Sequence, residues 1–134
     1  MSDRAALVTE FKDQLKRLAT ELQAYSPDWE LIGKSKYEGY KSSMTDTYVQ
    51  RRFMDNGHPK GWIAVYIAEK QVYDKNGKIV LKHFVRLSSN NHRYQHDRNW
   101  SFKTNDLPEK IHSKSEGMEK VVAEQIAHDR EEKR

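Results

Sequence analysis

Histidine, arginine and aromatic residues gather in the middle third of this 134-residue chain. Residues 59–105 carry nine Lys/Arg against three Asp/Glu, more excess charge than the +4 of the whole chain. Trp62, Tyr66, Phe84, Tyr94 and Trp100 lie between those charges, with His83, His92 and His96. Cations meet phosphates and flat rings stack on bases, so the grouping suggests an anion-binding surface with nucleic acid first among its ligands.

Ser88 to Asn99 lies in the longest run without an aliphatic residue, and its polarity predicts an exposed loop at one end of a sheet. There Arg93 and Arg98 suit phosphates, Tyr94 and His92 suit stacking, and Asn91 or Gln95 suits a base edge. His92 and His96 stand four apart, as two ligands on one helical face would. The glutamates of a zinc motif are missing and the neighbouring arginines oppose a dication, so no metal site is expected.

Catalysis is a further possibility that the residue types raise. Metal-independent ribonuclease chemistry needs a base, an acid and a cation beside the phosphorane. Glu69, His83 and Arg86, with His92 or His96 as the acid, supply those types. A cross-strand ion pair between Glu69 and His83 is the plainer expectation, which leans against an enzyme and leaves a metal-independent ribonuclease as the second alternative. The glycines never cluster as a phosphate-cradling loop does, no nucleophile elbow is present, and no cofactor is implied.

These residues need a scaffold. From Asp3 to Tyr25, Leu7, Val8, Phe11, Leu15, Leu18, Leu22 and Tyr25 recur at spacings of three and four, which predicts an amphipathic helix over 1–25 that Ser26-Pro27 stops. Between 29 and 103 the pattern changes to short β-rich runs: Trp29–Tyr40, Met44–Met54, Trp62–Tyr73, Ile79–Ser88 and Asn99–Lys103. They are separated by a loop at Asp55–Gly61 and a turn at Lys75-Asn76-Gly77, and they predict an antiparallel meander. Residues 107–134 read as helical in two pieces, interrupted near Ser113–Gly117 and frayed at the charged end.

Loop length sets which side chains share a face. A three-residue loop closed by Asp74 and Lys78 sets Tyr73 against Ile79, Ile67 against Val85 and Glu69 against His83. Trp62, Ala64, Tyr66, Ala68 and Lys70 then share the opposite face with Val80, Lys82, Phe84, Arg86 and Ser88. Lys70 stands across from Lys82 on that face, which is unfavourable unless water or an anion lies over the pair.

The expected fold is therefore a single α+β domain over 1–134. An N-terminal helix lays Leu7, Phe11, Leu15, Leu18 and Leu22 on a curved antiparallel sheet of four to five strands, and a helical C-terminal segment follows. Ile63, Val65, Ile67, Leu81, Val85 and Leu87 are the expected sheet-side core. This order is similar to that of cystatin-like folds, small ribonucleases and accessory proteins of phages and mobile elements, a likeness of architecture from which no residue role carries over. Cysteine is absent and no apolar run approaches the ~20 residues of a membrane span, so a cytosolic protein is expected.

The function expected is non-catalytic binding of an anionic partner. Lys70, Lys82, Arg86, Arg93 and Arg98 would meet phosphates, while Trp62, Tyr66, Phe84 and Tyr94 would stack, with His92 and His96 beside them. The alternative is a protein-interaction or regulatory module, acting through a homodimer or a partner interface.

Overall fold

Residues 2–33 and 45–132 are described by the structure, a computed structural model, with side chains from Arg4 onward. Helix α1 spans Ser2–Gln23 and buries Phe11, Leu15, Leu18 and Leu22, the row that the three-and-four spacing predicts. It ends before Pro27: Tyr25 and Ser26 donate their N–H groups back to the Leu22 carbonyl, and Gln23 Nε2 donates to the Trp29 carbonyl at 2.9 Å.

Five antiparallel strands follow in sequence order: β1 (Trp29–Ile32), β2 (Tyr48–Asp55), β3 (His58–Tyr73), β4 (Ile79–Asn90) and β5 (Asp97–Trp100). They form an open meander with β1 and β5 at its edges. The ends of the expected runs Trp29–Tyr40 and Met44–Met54 that fall on residues 34–44 lie outside the described residues. The register of β3 on β4 is the one that a three-residue loop demands, with Ile67 opposite Val85 and Lys70 opposite Lys82. Gly77 takes a φ of 76°, and Asp74 Oδ1 accepts the N–H groups of Asn76 and Lys78, which closes the turn.

Helix α2 (Leu107–Glu132) is continuous, so the break expected near Ser113–Gly117 does not occur. The small and polar residues there serve packing. Ser115 Oγ donates to the His112 carbonyl, and Gly117 leaves room for the Tyr94 ring, whose Oη would stand 2.7 Å from an added Cβ.

Two expected loops are also shorter than their composition suggests. Asn56 and Gly57, with φ of 51° and 79°, make a two-residue hairpin turn, so Pro59 lies within β3. The proline is tolerated because β4 ends at the Trp62–Asn90 rung, leaving only β2 to pair there, and because Lys60 is bulged out of the ladder. In the run 88–99, Ser88–Asn90 belongs to β4 and Asp97–Asn99 to β5, so the turn proper is 91–96.

Both helices lie on the same face of the sheet. Ile63, Val65, Ile67, Val85 and Leu87 meet Leu15, Leu18 and Leu22 of α1 and Ile111, Met118 and Val122 of α2 in one core. Leu81 is the exception among the expected core residues: it stands beyond the reach of the helices and is 47% exposed. Among the described residues no helix is long and apolar enough to cross a membrane.

Candidate functional site

The helix-free face of the sheet is laid out by the β3–β4 register. From the hairpin tip inward its rungs are Val72–Val80, Lys70–Lys82, Ala68–Phe84, Tyr66–Arg86, Ala64–Ser88 and Trp62–Asn90. Gln50 and Arg52 of β2 flank it on one side, and Asn99 and Asp97 of β5 on the other. Lys70 and Lys82 are both exposed, and no carboxylate lies within 4.0 Å of either ammonium among the described residues. Phe84 and Arg86 continue the same row as Lys82 and are half-buried. Arg86 Nη2 lies 3.8 Å from Asp97 Oδ2, while its buried Nε has no hydrogen-bond partner among the described residues. One face thus gathers Lys70, Lys82, Phe84, Arg86 and the half-buried Trp62.

Other expected binding residues are used elsewhere. Tyr66 is only 3% exposed at the middle of the central strand, and its hydroxyl shares a hydrogen bond with Ser88 Oγ at 3.0 Å, so its ring offers no stacking surface. Tyr94 turns toward α2: its hydroxyl donates to the Lys114 carbonyl at 2.6 Å, its ring fills the space above Gly117, and burial raises its pKa. Asn91 anchors the same turn, donating from Nδ2 to the Lys60 carbonyl and to Gln125 Oε1 while its Oδ1 accepts the Arg93 N–H. His92 and Arg93 are exposed on this turn, and the His96 ring lies 4.5 Å from that of Tyr94. Arg98 belongs to the helix side, where its guanidinium lies 5.4 Å from the Trp100 ring and lines an open cleft with Lys110, Lys114, Asp106 and Glu109.

The residues for ribonuclease chemistry do not converge. Glu69 Oε2 lies 3.0 Å from His83 Nε2 and 3.3 Å from Arg4 Nη1, and the His83 ring packs on Phe11 at 5.0 Å. The His83 hydrogen bond, with the Arg4 charge behind it, holds the Glu69 carboxyl below its ordinary pKa against the effect of burial. This pair faces α1, whereas Arg86 faces the opposite side of the sheet and His92 lies beyond the other end of β4. Seven residues of strand separate His83 from Asn90, about 23 Å at ~3.3 Å per residue. Among the described residues no three His, Asp or Glu side chains come together as a metal site.

A second polar cluster lies in the core. Arg51 is 4% exposed on the helix side of β2, where Nη1 donates to Ser115 Oγ at 2.7 Å and Nη2 to Glu119 Oε2 at 3.0 Å. Its guanidinium also lies 4.8 Å from the Phe53 ring. The alternation Val49, Arg51, Phe53 put a charge on the core face of a strand, and Ser115 with Glu119 one helical turn apart was the matching signal. Comparison with family models, with curated proteins and with solved structures gave no match.

Proposed function

We propose that this chain is a small non-catalytic binding protein that recognises an anionic partner, nucleic acid first, through the helix-free sheet face around Lys70, Lys82, Phe84 and Arg86. What supports the reading is the directly opposed, exposed Lys70–Lys82 pair, which has no carboxylate beside it among the described residues. Like charges across a rung cost a few tenths of a kcal/mol to ~1 kcal/mol, and a bridging phosphate turns that cost into attraction. Phe84 and Arg86 on the same row add a ring edge and a guanidinium to the contact, while Arg93, His92 and His96 extend the basic surface along the 91–96 turn. The cysteine-free sequence fits a reducing compartment, and the cytoplasm is part of this proposal.

Fluorescence anisotropy with single- and double-stranded DNA and RNA, titrated over a salt series, tests it. The expected outcome is affinity whose logarithm falls linearly with the logarithm of salt concentration. No affinity for any of the four probes at low salt ends the proposal. A protein-interaction module is the second reading, favoured by the exposed Tyr73, Ile79 and Leu81. A stable dimer in light scattering that ignores all four probes would select it.

A further inference from the structure

Exposed apolar surface is concentrated at the outer end of the β3–β4 hairpin. Tyr73 is 75% exposed and Ile79 57%, and Leu81 and Val80 stand beside them. Helix α1 reaches the hairpin as far as Glu69, held by Arg4. Beyond the Glu69–His83 rung come four more rungs and the turn Asp74–Lys78, with every residue but Val72 and Asp74 exposed. These residues form a two-stranded arm that projects past the core.

The arm is basic as well as apolar. Lys70, Lys75, Lys78 and Lys82 are exposed, and its one acid, Asp74, is occupied in closing the turn. Two copies docking arm to arm would bring these lysines together. A polyanion is the complementary partner.

We propose that the arm 70–82 enters the major groove of a B-form DNA duplex. This inference rests on the nucleic-acid reading above and adds strandedness, helical form and mode of contact. A groove about 12 Å wide and about 8.5 Å deep admits a two-stranded ribbon. Tyr73 follows Lys70 by three residues and Ile79 precedes Lys82 by three, about 10 Å of strand at ~3.4 Å per residue. With the turn at the groove floor, Tyr73 and Ile79 on one face of the arm therefore lie within the groove, and the ammonium groups of Lys70 and Lys82, together on the other face, reach the phosphates of one rim. Lys75, Asn76 and Lys78 at the tip meet base edges, lysine suiting guanine O6 and N7 and asparagine suiting adenine, while Tyr73 and Ile79 meet thymine methyl groups. A-form RNA has a major groove too narrow for such an arm.

The test uses the full chain with a mixed-sequence DNA duplex of roughly 20 base pairs, about two helical turns. One of its single strands and the RNA duplex of the same sequence are the comparison probes. Two double variants are compared with the wild type, Lys70→Ala with Lys82→Ala and Tyr73→Ser with Ile79→Ser, and circular dichroism melting verifies that each is folded. The DNA duplex is expected to bind about 10-fold or more tighter than either other probe. The lysine variant is expected to lower the log–log salt slope by about 2, one for each phosphate that no longer has a lysine to neutralise it. The serine variant is expected to bind the DNA duplex about 10-fold more weakly, the weight of one mismatched base pair in a specific site, and to leave single-strand affinity unchanged.

DNA affinity unaltered in both variants overturns the arm while leaving the anion-binding reading intact, whereas no binding of any probe overturns both. Tighter binding to the single strand or the RNA duplex overturns the duplex mode. A dimer that the serine substitutions dissolve without changing DNA affinity makes the arm a protein-docking element and overturns it too.

Discussion

The indole N–H of Trp29 donates to Nδ1 of His112 at 3.2 Å, tying β1 to α2 across 83 positions of sequence. Because Nδ1 accepts, the ring carries its proton on Nε2, which lies 3.5 Å from Glu116 Oε1. Tyr25 stacks on the same imidazole at 5.2 Å between ring centres. Burial, followed by the nearby Arg51 charge, holds the His112 pKa below the ordinary histidine value against the pull of Glu116 and Glu119. A neutral imidazole is thus a working part of the core.

Acid should weaken the fold through this ring. The unfolded chain binds the proton near pH 6.5, the ordinary value, while the folded chain binds it only at lower pH, so stability falls as pH drops below ~6.5. Protonation also removes the acceptor that Trp29 uses. Melting temperatures measured from pH 8 to pH 5 should show this decline, and His112→Gln should flatten it. An equally steep decline in the variant would contradict the assignment. Glu69 acts in a lower window: its depressed pKa contributes stability above its unfolded value of ~4.5 that is lost as pH falls further.

Arg51 holds β2 to α2, and truncating it leaves Glu119 and Ser115 without their shared donor. Arg51→Ala should cost roughly 1–3 kcal/mol in denaturant unfolding, the range for losing hydrogen bonds to a charged group, because the exposed Glu119 carboxylate is resolvated once its partner is gone. Arg51→Met, which keeps the apolar stem, should cost clearly less. Equal losses would mean that the stem does not contribute and that the whole loss lies in the guanidinium and its hydrogen bonds.

Gly117→Ala separates helix propensity from packing. Propensity alone favours alanine by about 1 kcal/mol, but the added Cβ would meet Tyr94 Oη at 2.7 Å and Cε2 at 2.8 Å. The variant should therefore melt below the wild type, and the penalty should reverse in a Tyr94→Ala background. A Gly117→Ala protein that melts higher on its own would refute the packing assignment.

Lys82→Glu places opposite charges across the Lys70 rung. Removing the repulsion and adding a cross-strand ion pair should stabilise the fold by a few tenths to about 1 kcal/mol. Nucleic-acid affinity should fall by about 10-fold or more at low salt, as a cation facing a phosphate is replaced by a carboxylate. Substituting His83 by Ala, on the helix side, should instead lower stability and leave affinity unaltered. Melting curves paired with the anisotropy titration read both effects in the same samples.

Local pattern made much of this architecture legible. The α1 stripe follows from its spacing, and the Lys75-Asn76-Gly77 turn determines the β3–β4 register, which in turn sets Lys70 against Lys82 and Glu69 against His83. Features that depend on distant partners were not legible. Arg51 reads as a surface charge until Ser115 and Glu119 are brought beside it, and Gly117 reads as a helix break until Tyr94 fills the space above it. Tyr66 alternates with Lys70 as a surface residue would, yet it is only 3% exposed and its hydroxyl shares a hydrogen bond with Ser88 Oγ. Leu81 keeps the core periodicity but stands past the end of α1, where none of the described residues buries it.

The two helices that cover the sheet flank it in sequence, α1 before β1 and α2 after β5. During synthesis at ~5–20 residues per second, the apolar row Ile63, Val65 and Ile67 emerges with α1 alone to shield it. Ile111, Met118 and Val122 are made after the whole sheet, so the newborn protein carries an open seam until α2 leaves the ribosome. A chain that stops short of Val122 should be captured by chaperones or aggregate, because its sheet is formed before its cover is made.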